Sequence, residues 1–151
     1  MKTLDVVSLQ MVRERGIEAP SAVHNSEDVV SLWRSLYPGG EPDREEVWLI
    51  CCATNMRPVN VSMVSRGALD SAMLTPREIL KTALLANARY MILVHNHPSG
   101  DPTPSQTDLQ ITEKIEAAGK MLGIELRDHV VVADGLFYSM RSWTALFAES
   151  R

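Results

Sequence analysis

His95 and His97 stand two residues apart at the end of an apolar run, Tyr90-Met91-Ile92-Leu93-Val94. In an extended chain such residues point to the same side, so both imidazoles can face one metal ion at zinc–nitrogen distances of about 2.0–2.1 Å. A third ligand must come from elsewhere. Asp108 is placed for it, in the first turn of the next helix, beyond a return loop shaped by Pro98, Gly100, Pro102 and Pro104. Two histidines and a carboxylate leave the fourth position of a tetrahedral ion for water, as in a catalytic rather than a structural zinc site. Taken singly, the pieces have plainer accounts. Ser105-Gln106-Thr107-Asp108 is also a helix-capping box, in which Asp108 only stabilises the helix start. The combination favours a metal, because a structural loop has no need of two histidines on one face beside a carboxylate.

Other chemistries share these ligands. Two histidines and a carboxylate also describe non-haem iron oxygenases, but those usually sit in double-sheet barrels, and the helical patterns here argue against one. A His-x-His amidohydrolase on a (β/α)8 barrel needs about 250 residues, and this chain has 151. Asp101 could be an extra ligand or a turn residue, and Gly100 and Pro102 beside it favour the turn. His129, after Asp128, reads as a hydrogen-bonded core or supporting histidine rather than a ligand. His24 reads as a surface residue, and Trp33, Trp48 and Trp143 as core aromatics.

The elements that must position these groups follow from patterning. Leu4 to Val12 suggests an extended, partly buried strand. After Ser26, the residues Val29, Val30, Leu32, Trp33, Leu36 and Tyr37 recur at the spacing of one helix face. Val47 to Ala53 reads as a buried strand, Asn55 to Pro58 as a turn, and Val59 to Ser65 as its hairpin partner. Thr75-Pro76-Arg77-Glu78 is a helix start, with a Thr cap, Pro at the first position and Glu closing a capping box; Ile79, Leu80, Ala83, Leu84 and Ala88 supply its buried face. Tyr90 to Val94 is a second buried strand. Ser105 opens a helix with Ile111, Ile115, Ala118 and Leu122 inward, stopped by Gly123. Val130 to Val132 and Leu136 to Tyr138 are short strands around Asp134-Gly135. This order predicts one mixed α/β domain, a central sheet sandwiched by helices.

Composition sets the outer limits. Hydrophobic residues make up 45% and charged residues 23%, ordinary values for a globular chain. The net charge of −4 and the lack of a basic stripe argue against autonomous DNA binding, which draws its affinity from neutralised phosphates. No apolar run is long enough to span a bilayer and no leader is evident, so a cytoplasmic location is expected. Cys51 and Cys52 are adjacent within an apolar run, too close for ordinary disulfide geometry, and read as buried thiols.

The motif as a whole resembles the JAMM signature: His95-x-His97, seven residues opening with Pro98, then Ser105-x-x-Asp108. The run His95-Asn96-His97-Pro98-Ser99-Gly100-Asp101-Pro102-Thr103-Pro104-Ser105 is similar to the RadC-like (UPF0758) branch, as are Pro76-Arg77-Glu78-Ile79, Asn87-Ala88 and Asp128-His129. The resemblance implies a single JAB/MPN-like (cytidine deaminase-like) domain over residues 1–151, with a core of about 24–141 and an N-terminal strand at 4–12. It implies Zn²⁺, one per chain, held by His95, His97 and Asp108, and a water activated to hydrolyse a peptide or isopeptide bond in a protein substrate. It also implies an upstream glutamate as general base, which maps to Glu46, with Glu45 as the neighbour it must be distinguished from. Ser105 would donate to the oxyanion, cap the helix, or both. The helix–hairpin–helix region of longer RadC-like proteins has no counterpart here, so a short stand-alone member is expected, with DNA not a direct partner, no membrane, and a homodimer left open. The alternative implied function is a metal-binding scaffold or DNA-repair accessory module without turnover.

Overall fold

The computed structural model describes residues 1–67 and 74–150. Helix α1 (Ser26–Leu36) begins where Asn25, rather than Ser26, accepts from the Asp28 N–H. Strands β1 (Glu46–Cys52) and β2 (Pro58–Arg66) form the expected hairpin. Helix α2 (Pro76–Leu85) has Thr75 as its cap, but the Glu78 carboxylate turns to Lys81 at 3.0 Å instead of closing a capping box. Then come β3 (Tyr90–Asn96), α3 (Gln106–Met121), β4 (Glu125–Ala133), β5 (Leu136–Ser139), a single turn α4 (Met140–Trp143) and a 3-10 segment Ala145–Ser150. Asp134 and Gly135 both take positive φ (49° and 78°), the backbone that a two-residue hairpin between β4 and β5 requires.

The sheet order is β2-β1-β3-β4-β5. Only β3 and β4 are parallel, joined by the α3 crossover. Both faces are covered. Ile50, Cys52, Ile92, Val94, Val130 and Val132 pack with α1. Val47, Leu49, Cys51, Met91, Leu93 and Val131 pack with α2 and α3. Burial pushes the Cys51 thiol up to about 12, with the Cys52 charge adding to it, and the Cys52 thiol up to about 11. Both are therefore inert at neutral pH, since the thiolate is the reactive form.

Further sequence expectations fail. Leu4 to Val12 is not a strand: residues 1–20 carry no regular element, and its apolar side chains are 43–100% exposed. Apolar patterning makes a strand only where a neighbour supplies hydrogen bonds and a surface to cover. Trp143 is 73% exposed, because α4 turns Met140 inward instead. Leu84 and Leu122 also lie on the solvent side of their helices.

Gly119 sets how closely α3 lies on the sheet. A Cβ there would stand 2.3 Å from the Ile124 carbonyl oxygen and 2.7 Å from the Met91 side chain. Gly ordinarily costs a helix interior about 0.5–1 kcal/mol against Ala, and here that preference is reversed. Gly119→Ala should destabilise the protein by about 1–3 kcal/mol through overpacking, measured by urea unfolding; an unchanged midpoint would show that α3 can shift freely.

Candidate metal centre

Strand β3 continues for one residue past its end, where the His97 N–H reaches the Val132 carbonyl at 2.9 Å. His95 and His97 therefore share the face toward α3, as their spacing requires. Asp108 enters from the first turn of α3. Glu45 comes from the residue before β1. One ligand atom from each of Glu45, His95, His97 and Asp108 lies within 4.8 Å of all the others. The centre thus stands at the carboxyl ends of two parallel strands and at a helix N-terminus, the usual place for a site in such a layout.

The structure brings together all three residues expected as ligands and sets Glu45, not the expected Glu46, beside them. Glu46 is on the other side of the sheet. Its carboxylate accepts from the Tyr37 hydroxyl and from Arg66 Nε at 3.1 Å, while Trp48 donates to the same Tyr37 oxygen. Glu45 Oε1 instead lies 3.6 Å from His95 Nε2, and its side chain is 18% exposed. The reason is the pleat: Val47 pairs with His95, so the residue two before Val47 follows the histidine face and the residue between faces α1. Asn96, between the two histidines, also points to the α1 side. Its side chain accepts from the Glu46 N–H at 2.8 Å and donates to the Arg44 and Pro42 carbonyls at 2.9 and 3.2 Å. Those three bonds hold the segment that carries Glu45, a role that no sequence pattern announced.

Asp108 caps its helix and also turns its carboxylate to the two histidines. Its N–H donates to Ser105 Oγ at 3.0 Å, and its Oδ2 accepts from the Ser105 N–H at 2.8 Å. The same Oδ2 stands 3.1 Å from His97 Nε2 and 3.4 Å from His95 Nε2. The capping box is thus the device that aims the carboxylate. Asp101 serves the turn: its carboxylate accepts from the Thr103 N–H at 3.0 Å, and its backbone carbonyl accepts from His97 Nδ1 at 2.9 Å. That bond places the His97 Nδ1 proton outward and leaves Nε2 for the centre. Behind His95 lies His129, fully buried, with Nε2 2.6 Å from His95 Nδ1. Thr112 Oγ1 is 2.6 Å from His129 Nδ1.

The donor set fits a metal cation. Two imidazole nitrogens and two carboxylates converge, the nitrogen and oxygen donors that a divalent cation such as zinc takes. The Asp108 carboxylate raises the His97 imidazole above its ordinary value, burial opposes this, and the Asp101 carbonyl adds to the rise. Burial pushes the Asp108 carboxyl up, but the adjoining His95 and His97 rings and the Ser105 N–H overcome it and hold it well below the usual carboxylate range. Burial keeps His129 well below the ordinary imidazole value, hence neutral.

The chain is similar to known proteins over most of its length. The RadC-like JAB domain model matches residues 23–145. The chain is 35% identical over 130 residues to a UPF0758 protein of Methanosarcina barkeri (strain Fusaro / DSM 804), covering 85% of this chain and 56% of that protein. It is 43% identical over 99 residues to a UPF0758 protein of Thermotoga maritima, covering 66% of this chain and 45% of that one. For a UPF0758 protein of Desulforudis audaxviator the identity is 42% over 99 residues, with 66% and 43% covered. The chain spans about half the length of the curated relatives it matches.

The two shifted imidazoles bracket one pH. The contribution of His97 is complete below about pH 6.5 and is lost as pH rises through its raised native value. His129 acts in the opposite sense: below about pH 6.5 the unfolded chain protonates it while the native state does not, and stability falls. The melting temperature of chelator-treated protein should therefore peak near about pH 6.5, and His97→Ala should lose the alkaline decline. An alkaline decline of the same size in that variant would refute the His97–Asp108 pair as its source.

Proposed function

The chain belongs to the RadC-like JAB domain family, and on that premise we propose that it is a zinc hydrolase of the JAMM metallopeptidase type, cleaving a peptide or isopeptide bond in a protein substrate. The observation that carries this reading is the convergence of Glu45, His95, His97 and Asp108 at the end of β3. His95, His97 and Asp108 would hold the ion, since all three are supported from behind by hydrogen bonds. Zinc bound there would lower the pKa of a water from 15.7 to about 7.

Glu45 suits the general base. It is the carboxylate at the rim rather than in the depth of the cluster, with one side open to solvent. It would take the proton as the water oxygen adds to the scissile carbonyl carbon, then return it to the amine as the carbon–nitrogen bond breaks. Ser105 Oγ accepts the Asp108 N–H and still has its own proton to give. That proton would stabilise the negative charge developing on the carbonyl oxygen.

Elemental analysis of protein purified without chelator should find about one zinc per chain, lost in His97→Ala. With peptide and isopeptide-linked substrates, Glu45→Gln should lower turnover by about 10²–10⁴-fold with zinc retained, and Glu46→Gln should not. Ser105→Ala should cost about 10²–10³-fold. Wild-type turnover in Glu45→Gln would overturn the base assignment. Full zinc content with no hydrolysis of either linkage would favour the scaffold reading.

A further inference from the structure

We infer that Thr112 and His129 are positioning residues that lock the tautomer of His95 and so present its Nε2 lone pair to the centre. The argument starts at an atom that can only accept. The Asp108 backbone carbonyl lies 2.6 Å from Thr112 Oγ1, one helical turn further along α3. The single hydroxyl proton of Thr112 is committed to that carbonyl, so Oγ1 is an acceptor toward its other neighbour. That neighbour is His129 Nδ1 at 2.6 Å, which must therefore carry a proton. A neutral imidazole has one, so His129 Nε2 is an acceptor, and His95 Nδ1 at 2.6 Å must donate to it. His95 is left with its lone pair on Nε2, the atom 3.0 Å from His97 Nε2 and 3.4 Å from Asp108 Oδ2.

Every proton in this chain is assigned by the carbonyl at its start, because a carbonyl cannot reverse its role. Solvent cannot scramble the order, since His95, Thr112 and His129 are all 0% exposed. The ring nitrogens of His129 touch only a hydroxyl and another imidazole, so a charge on that ring would be buried without a carboxylate partner, a costly state. The arrangement also ties two ligands together. Asp108 offers its carboxylate to the centre and its carbonyl to the chain that orients His95, so one turn of α3 places both.

The tautomer stands independently of the hydrolase reading; its consequence for zinc rests on that reading. Long-range proton–nitrogen correlation spectra of the chelator-treated, nitrogen-15-labelled full chain report which nitrogen of each imidazole is protonated. In the wild type, His95 and His129 should both be Nδ1–H forms, and His95 as the Nε2–H form would overturn the inference. Thr112→Val preserves shape but removes the acceptor for His129. It should shift His95 toward the Nε2–H form and weaken zinc binding about 10–100-fold in competition with a chromophoric chelator, whereas Thr112→Ser should restore both. Zinc affinity equal to wild type in a folded Thr112→Val protein would also overturn it. Should that variant fail to fold, the wild-type spectrum alone decides. Failure of the wild type to bind zinc would refute the metal centre while leaving the tautomer result intact.

Discussion

The pairing of Val47 with His95 is the constraint from which the rest of the centre follows. Side chains alternate strictly across a pleated sheet, so this one register decides which residues of two strands meet α3 and which meet α1. It sends Glu45, His95 and His97 to one face and Glu46 and Asn96 to the other. The residues on the far face are not idle. Asn96 ties down the segment before β1, and Glu46 joins Tyr37 and Arg66. A slip of β1 by one residue would exchange Glu45 and Glu46 between the two faces, while the pairing of β3 with β4 kept the histidines in place.

Helix α3 supplies the second half, and its distance from the sheet is set by a missing side chain. Gly119 lets the helix approach the Ile124 backbone and Met91 closely. At its other end the capping box turns Asp108 inward, and four residues on Thr112 reaches His129. Asp108 and Thr112 lie on one helical face by their spacing. A structural device and a chemical one therefore use the same atoms. Helix cap and place in the cluster, alternatives when Ser105-Gln106-Thr107-Asp108 is read as a string, are compatible in the folded chain.

The cluster is electrostatically demanding, and the surroundings show how it is tolerated. Carboxylates gathered beside two imidazoles need a cation or a proton, and the raised His97 value marks where that need is felt. Neutral His129 behind His95 adds support without adding charge. No helix among the described residues is long and apolar enough to cross a membrane.

Much of this was legible in the string of residues. The histidine pair, the helix cap carrying Asp108, the supporting place of His129 and the mixed sheet between helices all follow from short-range spacing and periodicity, which local backbone geometry enforces without help. The face on which each glutamate lies was not legible. Val47-Trp48-Leu49-Ile50-Cys51-Cys52 is apolar throughout because the sheet is buried on both sides, so no alternation marks which residues face α3. The strand expected at Leu4 to Val12 failed for a related reason: its pattern is real, but a strand needs a partner, and the sequence does not say where one is. Spacing along the chain thus determined the donor types of the cluster and their local geometry. Tertiary structure alone placed Glu45 rather than Glu46 beside the histidines and joined Thr112, His129 and His95, because register and helix approach are set by contacts between segments distant in sequence.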